Sequence, residues 1–261
     1  NYLFVDPEIA PETRPGPVRI DFRNGGRKAA RRDYLLQARE PGSAQRRGFG
    51  PQDVIYLLMP DRFANGNPAN DTVAGLQDGL ARNKPLGRHG GDLRGVANHL
   101  DYIAGMGFTQ LWLNPALENA QPEASYHGYA ITDFYRVDPR LGSNEDFRQL
   151  ARDARERNIG MIMDVVLNHI GSSHWWMRDL PAPDWINYGG KFTATHHVRE
   201  SLQDPHGAEA DRHSFADGWF VETMPDLNQR NPFLATYLIQ NTLWWIEFAG
   251  LSGLRVDTYP Y

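Results

Sequence analysis

The chain has 261 residues, 41% apolar and 23% charged, which is ordinary globular usage and excludes a disordered or collagen-like protein. Lys and Arg total 27 against 32 for Asp and Glu, a formal net charge of −5, so bulk charge suits the chain neither to nucleic-acid phosphate nor to anionic lipid. Cysteine is absent, which excludes disulfides and thiolate metal sites, and the longest apolar runs, such as 54–60, fall far short of the about 20 residues that cross a bilayer.

The first 48 residues read as strands and turns. Residues 3–9 (LFVDPEI) alternate in part, 17–22 (PVRIDF) alternate more clearly, and 33–39 (DYLLQAR) are a third candidate, with Pro15-Gly16 and Asn24-Gly25-Gly26 as turn signals. Three strands do not close a sandwich, so residues 1–48 are expected to be the end of an all-β domain plus its linker, the polar, Gly-rich run 41–51. The chain opens without an initiator Met or a basic n-region, and the expectation is a start inside a domain, with no inference about export.

From Asp53 the pattern changes. Residues 54–60 (VIYLLMP) form a short continuous apolar run, the mark of a strand buried on both faces. A long Asn/Gly loop follows, then a predicted helix over 93–106 ending at Gly107, and a second buried strand in 108–114 (FTQLWLN). Ser143 stands at an N-cap position before Glu145-Asp146 and opens a helix to about Arg157. Gly160 starts the strand MIMDVVL, and a stretch rich in His, Trp, Pro and Gly without periodicity comes next. Asn231-Pro232 opens a helix over 233–249, and Gly250 to Gly253 lead into LRVD. Strands alternating with helices predict a parallel α/β domain, and an eight-stranded barrel takes about 250 residues, so half a barrel is expected here.

Four groups of residues carry chemistry. On a strand, Arg255 and Asp257 share a face. At the C-terminal end of a barrel strand a guanidinium beside a carboxylate favours its ionised form, which a covalent nucleophile in sugar chemistry requires; a structural ion pair is the alternative. In Asp164-Val165-Val166-Leu167-Asn168-His169, the imidazole sits where it can donate to a sugar hydroxyl, while Asp164 and Asn168 read as ties for the following loop. Tyr126-His127-Gly128-Tyr129 offers rings for a pyranose face, or simple packing. In the loop 61–71, amide and carboxylate oxygens recur around Gly and Pro turns. Calcium takes about 6–8 such oxygens, and an Asx-turn loop without metal fits the composition equally; nothing selects zinc.

Together these pieces resemble the α-amylase family, glycoside hydrolase family 13. DVVLNH is similar to the family's first signature region, GLRVDTY to its second, and MPDLN (Met224 to Asn228) to the extra signature of the cyclomaltodextrinase and neopullulanase branch. GFTQLWLNP, YHGY, DRFANGNPAND and GGDLRGV follow the same order, so the resemblance runs from about Asp53 to Tyr261. It implies the first half, strands 1–4, of a catalytic (β/α)8 barrel over 49–261, with an inserted subdomain B at about 170–227, preceded in 1–48 by the end of an immunoglobulin-like β-sandwich.

The resemblance also implies roles. Asp257 falls on the nucleophile, Arg255 on the arginine beside it, His169 on the histidine contacting the sugar, Tyr129 on the tyrosine stacked beneath it, and His127 on a lesser contact. A structural Ca²⁺ would take Asn65, Asn67, Asn70, Asp71, the Gly90 carbonyl and Asp92. The implied chemistry is retaining hydrolysis of α-1,4 bonds in maltooligosaccharides or cyclodextrins through a glucosyl–Asp257 intermediate, by an enzyme of the periplasm, with a homodimer as an open assembly state. Two departures stand out. The second region ends Thr258-Tyr259-Pro260-Tyr261, without the histidine of a second calcium site, so Asn168 is not assigned as a ligand. The sequence also stops four residues after Asp257, before any match to the general acid, so the 261-residue chain alone is expected to be inactive. A transglycosylase shares every residue named, and a non-catalytic maltodextrin-binding relative is the rival from another class. Trp175, Trp176, Trp185 and Trp219 are candidate sugar platforms in the insertion, each with core packing as its alternative, while the spacing of His196, His197, His206 and His213 suggests no metal site.

Overall fold

The computed structural model describes residues 2–259 and 261. Asn1, in the strand-like opening, and Pro260, in the second signature region, lie outside the described residues. The chain divides into two compact units, Tyr2–Arg46 and Arg47–Tyr261.

The first unit is built on one antiparallel hairpin, β1 (Gly16–Asn24) and β2 (Arg27–Leu36). Gly25 and Gly26 (φ 55° and 79°) make the two-residue turn, whose left-handed backbone at both positions favours glycine. This reverses the chain straight after Asn24, so β2 starts six residues before the strand expected at 33–39 and ends inside it, at Leu36. Residues 3–9 form no strand: Pro7 has no amide to give a ladder, and Asp6-Pro7-Glu8 interrupts the alternation. Three expected strands therefore become two, and no sandwich is formed among the described residues of this unit.

The second unit contains a four-stranded parallel sheet in chain order, β3 (Ile55–Leu58), β4 (Gln110–Leu113), β7 (Gly160–Val165) and β8 (Gly253–Val256), with β5 (Leu117–Glu118) and β6 (Asp133–Val137) forming a small antiparallel pair after β4. The short α1 (Pro60–Phe63), then α2 (Leu93–Ala97) and α3 (Leu100–Gly105), lie between β3 and β4; α4 (Asn144–Glu156) precedes β7. Short helices α5 (Glu200–Gln203) and α6 (Glu209–Ala216) stand in the insertion, and α7 (Pro232–Ala249) leads to β8. Among the described residues no helix is long and apolar enough to cross a membrane.

Two expectations are corrected. The helix predicted over 93–106 is broken, because the His99 Nδ1 takes the Gly95 carbonyl (2.7 Å) that the His99 amide would bond in a continuous helix, and that amide turns to Val96 instead. The strand 54–60 is not buried on both faces among the described residues: Ile55 and Leu57 are 42% and 51% exposed, since β3 pairs there with β4 and has no second neighbour.

The caps, by contrast, form as the sequence dictates. Ser143 Oγ accepts the Asp146 amide (3.1 Å) and Asp146 Oδ2 accepts the Ser143 amide (2.8 Å), a reciprocal capping box. It sets α4 so that Phe147, Leu150, Ala151 and Ala154, one helical stripe, are buried. Asn231 caps α7 through the Phe233 and Leu234 amides, and Gly250 (φ 68°) closes it. On α7 the buried Asn241 and Trp245 both donate to the Phe134 carbonyl (2.7 and 2.8 Å), which anchors the helix to β6. Replacing Ser143 by Ala is expected to lower the unfolding free energy by about 1 kcal/mol. Asp146→Ala should do the same, and the double variant should lose little more than either single one, as urea denaturation would show.

Candidate active site

The parallel register places the charged groups. Asp164 on β7 is the register partner of Arg255 on β8, so both side chains emerge on one face, and Asp257 follows Arg255 by two. One strand over, Trp112 pairs with Ile162 and so lies two residues below Asp164 on that face.

The Asp164 carboxylate, wholly buried, accepts three donors from three elements: Trp112 Nε1 (3.0 Å), Tyr129 Oη (3.0 Å) and Arg255 Nη1 (3.0 and 3.1 Å). Arg255 Nη1 also reaches Asp257 Oδ1 at 2.5 Å, and the Arg255 Cζ lies 5.1 Å from the Trp112 ring centroid and 5.7 Å from that of Tyr129. Burial raises the Asp164 pKa even though all three donors oppose it. Burial likewise works against the Arg255 charge, but the bonds and charges of Asp164 and Asp257 outweigh it and raise its pKa.

The structure brings His169, Tyr129 and His127 to the same end of the sheet. Burial pushes His169 down to about 4, against the pull of Asp257, and its Nε2 donates to the Tyr129 carbonyl (3.0 Å). Burial also lowers His127, again against Asp257; its Nδ1 accepts the Tyr129 amide (2.9 Å) and its ring stacks on Tyr129, centroids 5.8 Å apart. Both imidazoles are therefore neutral near pH 7, leaving one guanidinium facing two carboxylates. Burial raises the Tyr129 phenol above its ordinary pKa, with the Asp164 charge adding to it, so it donates to Asp164 as the neutral group.

Sequence reasoning missed Asp164 and Trp112. Asp164 is the hub rather than a tie for the loop; its signal was a lone carboxylate inside an otherwise apolar strand, a place where a charge needs partners. Asn168 does act as the tie: its Nδ2 donates to Asp226 Oδ1 (3.0 Å), while Asn187 Nδ2 donates to Oδ2 (2.7 Å). Asp226 is buried, bridges to His169 along the backbone and is pushed up to about 8 by desolvation. Of the four candidate platforms, Trp175 is 44% exposed, whereas Trp176, Trp185 and Trp219 are buried. Trp176 and Trp185 meet edge to face at 5.3 Å in the core.

The loop between α1 and α2 gathers oxygen donors. Asn65 Nδ2 donates to Asp71 Oδ1 (2.7 Å), and the Oδ1 atoms of Asn65 and Asn70 are buried without a hydrogen-bond partner. Gly90 (φ 83°) comes so close that a Cβ there would lie 2.6 Å from Asp71 Oδ1. Asp92 is fully buried and accepts the Gly66, Asn67 and Gly95 amides, capping α2, while Asn67 is exposed and its Oδ1 accepts the Ala69 amide at 3.3 Å. Side-chain amide oxygens, a carboxylate and a glycine carbonyl fit a hard divalent cation such as Ca²⁺. Asn65, Asn70, Asp71 and Gly90 fit best; Asn67 and Asp92 are engaged by backbone amides.

Comparison with known proteins gives the family. The family model for the α-amylase catalytic domain matches residues 57–261. A cyclomaltodextrinase of Geobacillus thermopakistaniensis is 33% identical over 78% of this chain and 33% of its own length. For neopullulanase 2 of Thermoactinomyces vulgaris the identity is 34%, over 80% of this chain and 34% of that enzyme. The crystal structure of an Anoxybacillus α-amylase superposes with a TM-score of 0.67 at 37% identity, covering 79% of this chain and 41% of that one. The chain belongs to the α-amylase family, glycoside hydrolase family 13, a family of (β/α)8 barrels, and its relatives place it in the cyclomaltodextrinase and neopullulanase branch. It spans about a third of the length of these two enzymes.

The buried histidines set an acid limit. Desolvation holds His174 at about 3, and its Nδ1 accepts the Trp176 amide (3.0 Å). Neutral in the fold but with an ordinary value of 6.5 when unfolded, it contributes stability that is present above 6.5 and lost as pH falls towards 3. His174→Asn retains a side-chain acceptor for that amide and does not titrate. Thermal unfolding of this variant should lose less stability than wild type between pH 7 and pH 5, by on the order of 2 kcal/mol.

Proposed function

We propose that the complete protein carrying this chain hydrolyses α-1,4-glucosidic bonds in maltooligosaccharides or cyclodextrins with retention of anomeric configuration. The observation that supports the reading is the Asp164–Arg255–Asp257 array at the C-terminal ends of β7 and β8, the place where barrel enzymes keep their reacting groups. Arg255 holds Asp257 Oδ1, which orients Oδ2 towards the anomeric carbon. Attack there forms the glucosyl ester as the glycosidic C–O bond breaks, and a second carboxyl group, from the remainder of the protein, protonates the leaving oxygen. Water then opens the ester with the same group acting as base, regenerating Asp257.

Tyr129 is the platform beneath that sugar in this reading, with His127 and His169 beside it. The hairpin β1–β2 is the end of an immunoglobulin-like sandwich, and the insertion between β7 and α7 is one wall of the cleft. Nothing in this array favours water over a sugar acceptor, so transfer is the second reading; a solved relative hydrolyses a cyclic maltosyl-maltose. Chromatography of the products from maltotriose or a cyclodextrin distinguishes the two. Hydrolysis predicts glucose and shorter linear sugars released first as the α-anomer, whereas transfer predicts products longer than the substrate. Asp257→Asn is expected to cut kcat by about a thousandfold or more, with little change in KM. A variant that retains most of its activity overturns the role of Asp257.

We also propose that the loop 65–92 binds a structural Ca²⁺, which would neutralise Asp71 and hold the Asn/Gly turns together. Chelation should then lower the thermal midpoint and added Ca²⁺ restore it, by a few degrees at saturating ion. Asp71→Ala should melt near the chelated wild type and ignore the ion. Identical melting with chelator and with Ca²⁺ would argue against the site.

A further inference from the structure

Resting on the reading of Tyr129 and His127 as sugar contacts, we infer that Arg62 and Asp78, both outside the catalytic array, are positioning residues for the loop that carries them. The loop 125–129 is not part of a strand ladder. Its own hydrogen bonds are the Gly128 amide to the Ser125 carbonyl (3.2 Å) and the Tyr129 amide to His127 Nδ1 (2.9 Å). It enters through Ala124, which holds a left-handed φ of 55° that a residue with a Cβ adopts only under constraint. Several groups outside the loop hold this backbone: Asn119 Nδ2 donates to the Ser125 carbonyl (3.3 Å), Asn114 Nδ2 to the His127 carbonyl (3.4 Å) and His169 Nε2 to the Tyr129 carbonyl (3.0 Å), and two further contacts come from the segment 61–92.

The first is Asp78. Its Oδ2 accepts both the Ser125 amide and the Ser125 hydroxyl at 2.8 Å, clamping the residue that follows the strained Ala124. Asp78 is itself anchored: its carbonyl accepts Arg140 Nη1 (2.9 Å), and the buried Arg140 pairs with the buried Asp138 at 2.7 Å.

The second is Arg62. Its guanidinium lies 4.1 Å from the centroid of the Tyr126 ring, while Nη1 pairs with the buried Asp61 carboxylate and Nη2 donates to the Pro85 carbonyl (3.1 Å). Asp61 meanwhile accepts the His89 and Gly90 amides, which fixes the far side of the same segment. From Tyr126 the contact continues ring to ring: Tyr126 meets His127 edge on at 5.6 Å, and His127 stacks on Tyr129. At the other end, a Cβ on Gly128 (φ 83°) would collide with the Pro115 carbonyl, so the loop is also confined from the β4 side. Arg62 and Asp78 thus press two successive residues of the loop, 126 and 125, from behind, and Tyr129 and His127 occupy the opposite end of that stack.

A device that orders a binding loop changes substrate affinity more than chemistry. The test compares Arg62→Gln, Arg62→Lys, Asp78→Asn and Tyr126→Leu in the complete protein, by hydrogen exchange and by steady-state kinetics on maltotriose. For Arg62→Gln, Asp78→Asn and Tyr126→Leu, exchange at amides 125–129 should rise about tenfold, with α4 and α7 as protected as in wild type, which shows that each variant folds. KM should rise about tenfold and kcat stay within about twofold. Arg62→Lys, which keeps a cation over the ring, should recover most of the loss, and Arg62→Gln with Tyr126→Leu should do no more harm than either alone, because they remove one contact. Unchanged exchange in the loop overturns the inference, and so does faster exchange with an unchanged KM or a loss confined to kcat. If wild type cleaves no α-glucan, the functional reading fails, while the exchange measurement still decides whether Arg62 and Asp78 order the loop.

Discussion

A carboxylate with no access to water must be surrounded by donors, and the site follows from satisfying that requirement at Asp164. Its three partners come from β4, from the loop between β5 and β6 and from β8, so no single segment completes the shell. Removing any one donor leaves a buried charge short of a partner, and that couples the placement of Trp112, Tyr129 and Arg255 to one another. Because Arg255 uses the same Nη1 for Asp164 and Asp257, the orientation of Asp257 is inherited from the buried pair beneath it. The more exposed carboxylate is thus positioned by the less exposed one.

The charge balance points the same way. His169 and His127 are kept neutral by burial, although Asp257 pulls both towards protonation. One guanidinium faces two carboxylates, which leaves this end of the sheet negative. Such a field suits a reaction in which positive charge builds on a sugar ring and opposes one in which an anion develops. It also explains why the phenol of Tyr129 must stay protonated: as a donor it relieves Asp164, whereas an ionised ring beside it would add a third negative charge.

How much of this could be read in the sequence depended on the range of the cause. Caps and register-independent runs are local, so Ser143, Asn231 and the strands around Trp112, Asp164 and Arg255 were legible. The Arg255–Asp257 pairing was also legible, since it needs only the two-residue period of one strand. The Asp164–Arg255 bond was not, because it depends on β7 and β8 being neighbours in a particular register, and residues 91 positions apart give no sign of that in spacing. His99 shows the converse limit: the cause is local, one imidazole taking one carbonyl, yet apolar periodicity runs smoothly across it. Exposure of Ile55 and Leu57 was hidden for a third reason, since an apolar run looks the same whether a strand lies inside a sheet or along its edge.

The segment between α1 and α2 shows how a long loop without regular structure can hold a fixed shape. Two buried carboxylates do the work that a strand ladder does elsewhere: Asp61 takes the amides of His89 and Gly90, and Asp92 takes those of Gly66, Asn67 and Gly95. With those donors committed, the buried oxygens of Asn65 and Asn70 are left without an amide to bond. Acceptors that remain after the neighbouring donors have been taken are the kind of oxygen a hard cation binds. The same division of labour faces outwards. Asp61 also holds Arg62, and Arg62 covers Tyr126, so the groups that shape the oxygen cradle and the groups that press on the aromatic loop share one buried anchor. The oxygen cradle and the aromatic loop are thereby tied to one another through the buried Asp61 carboxylate.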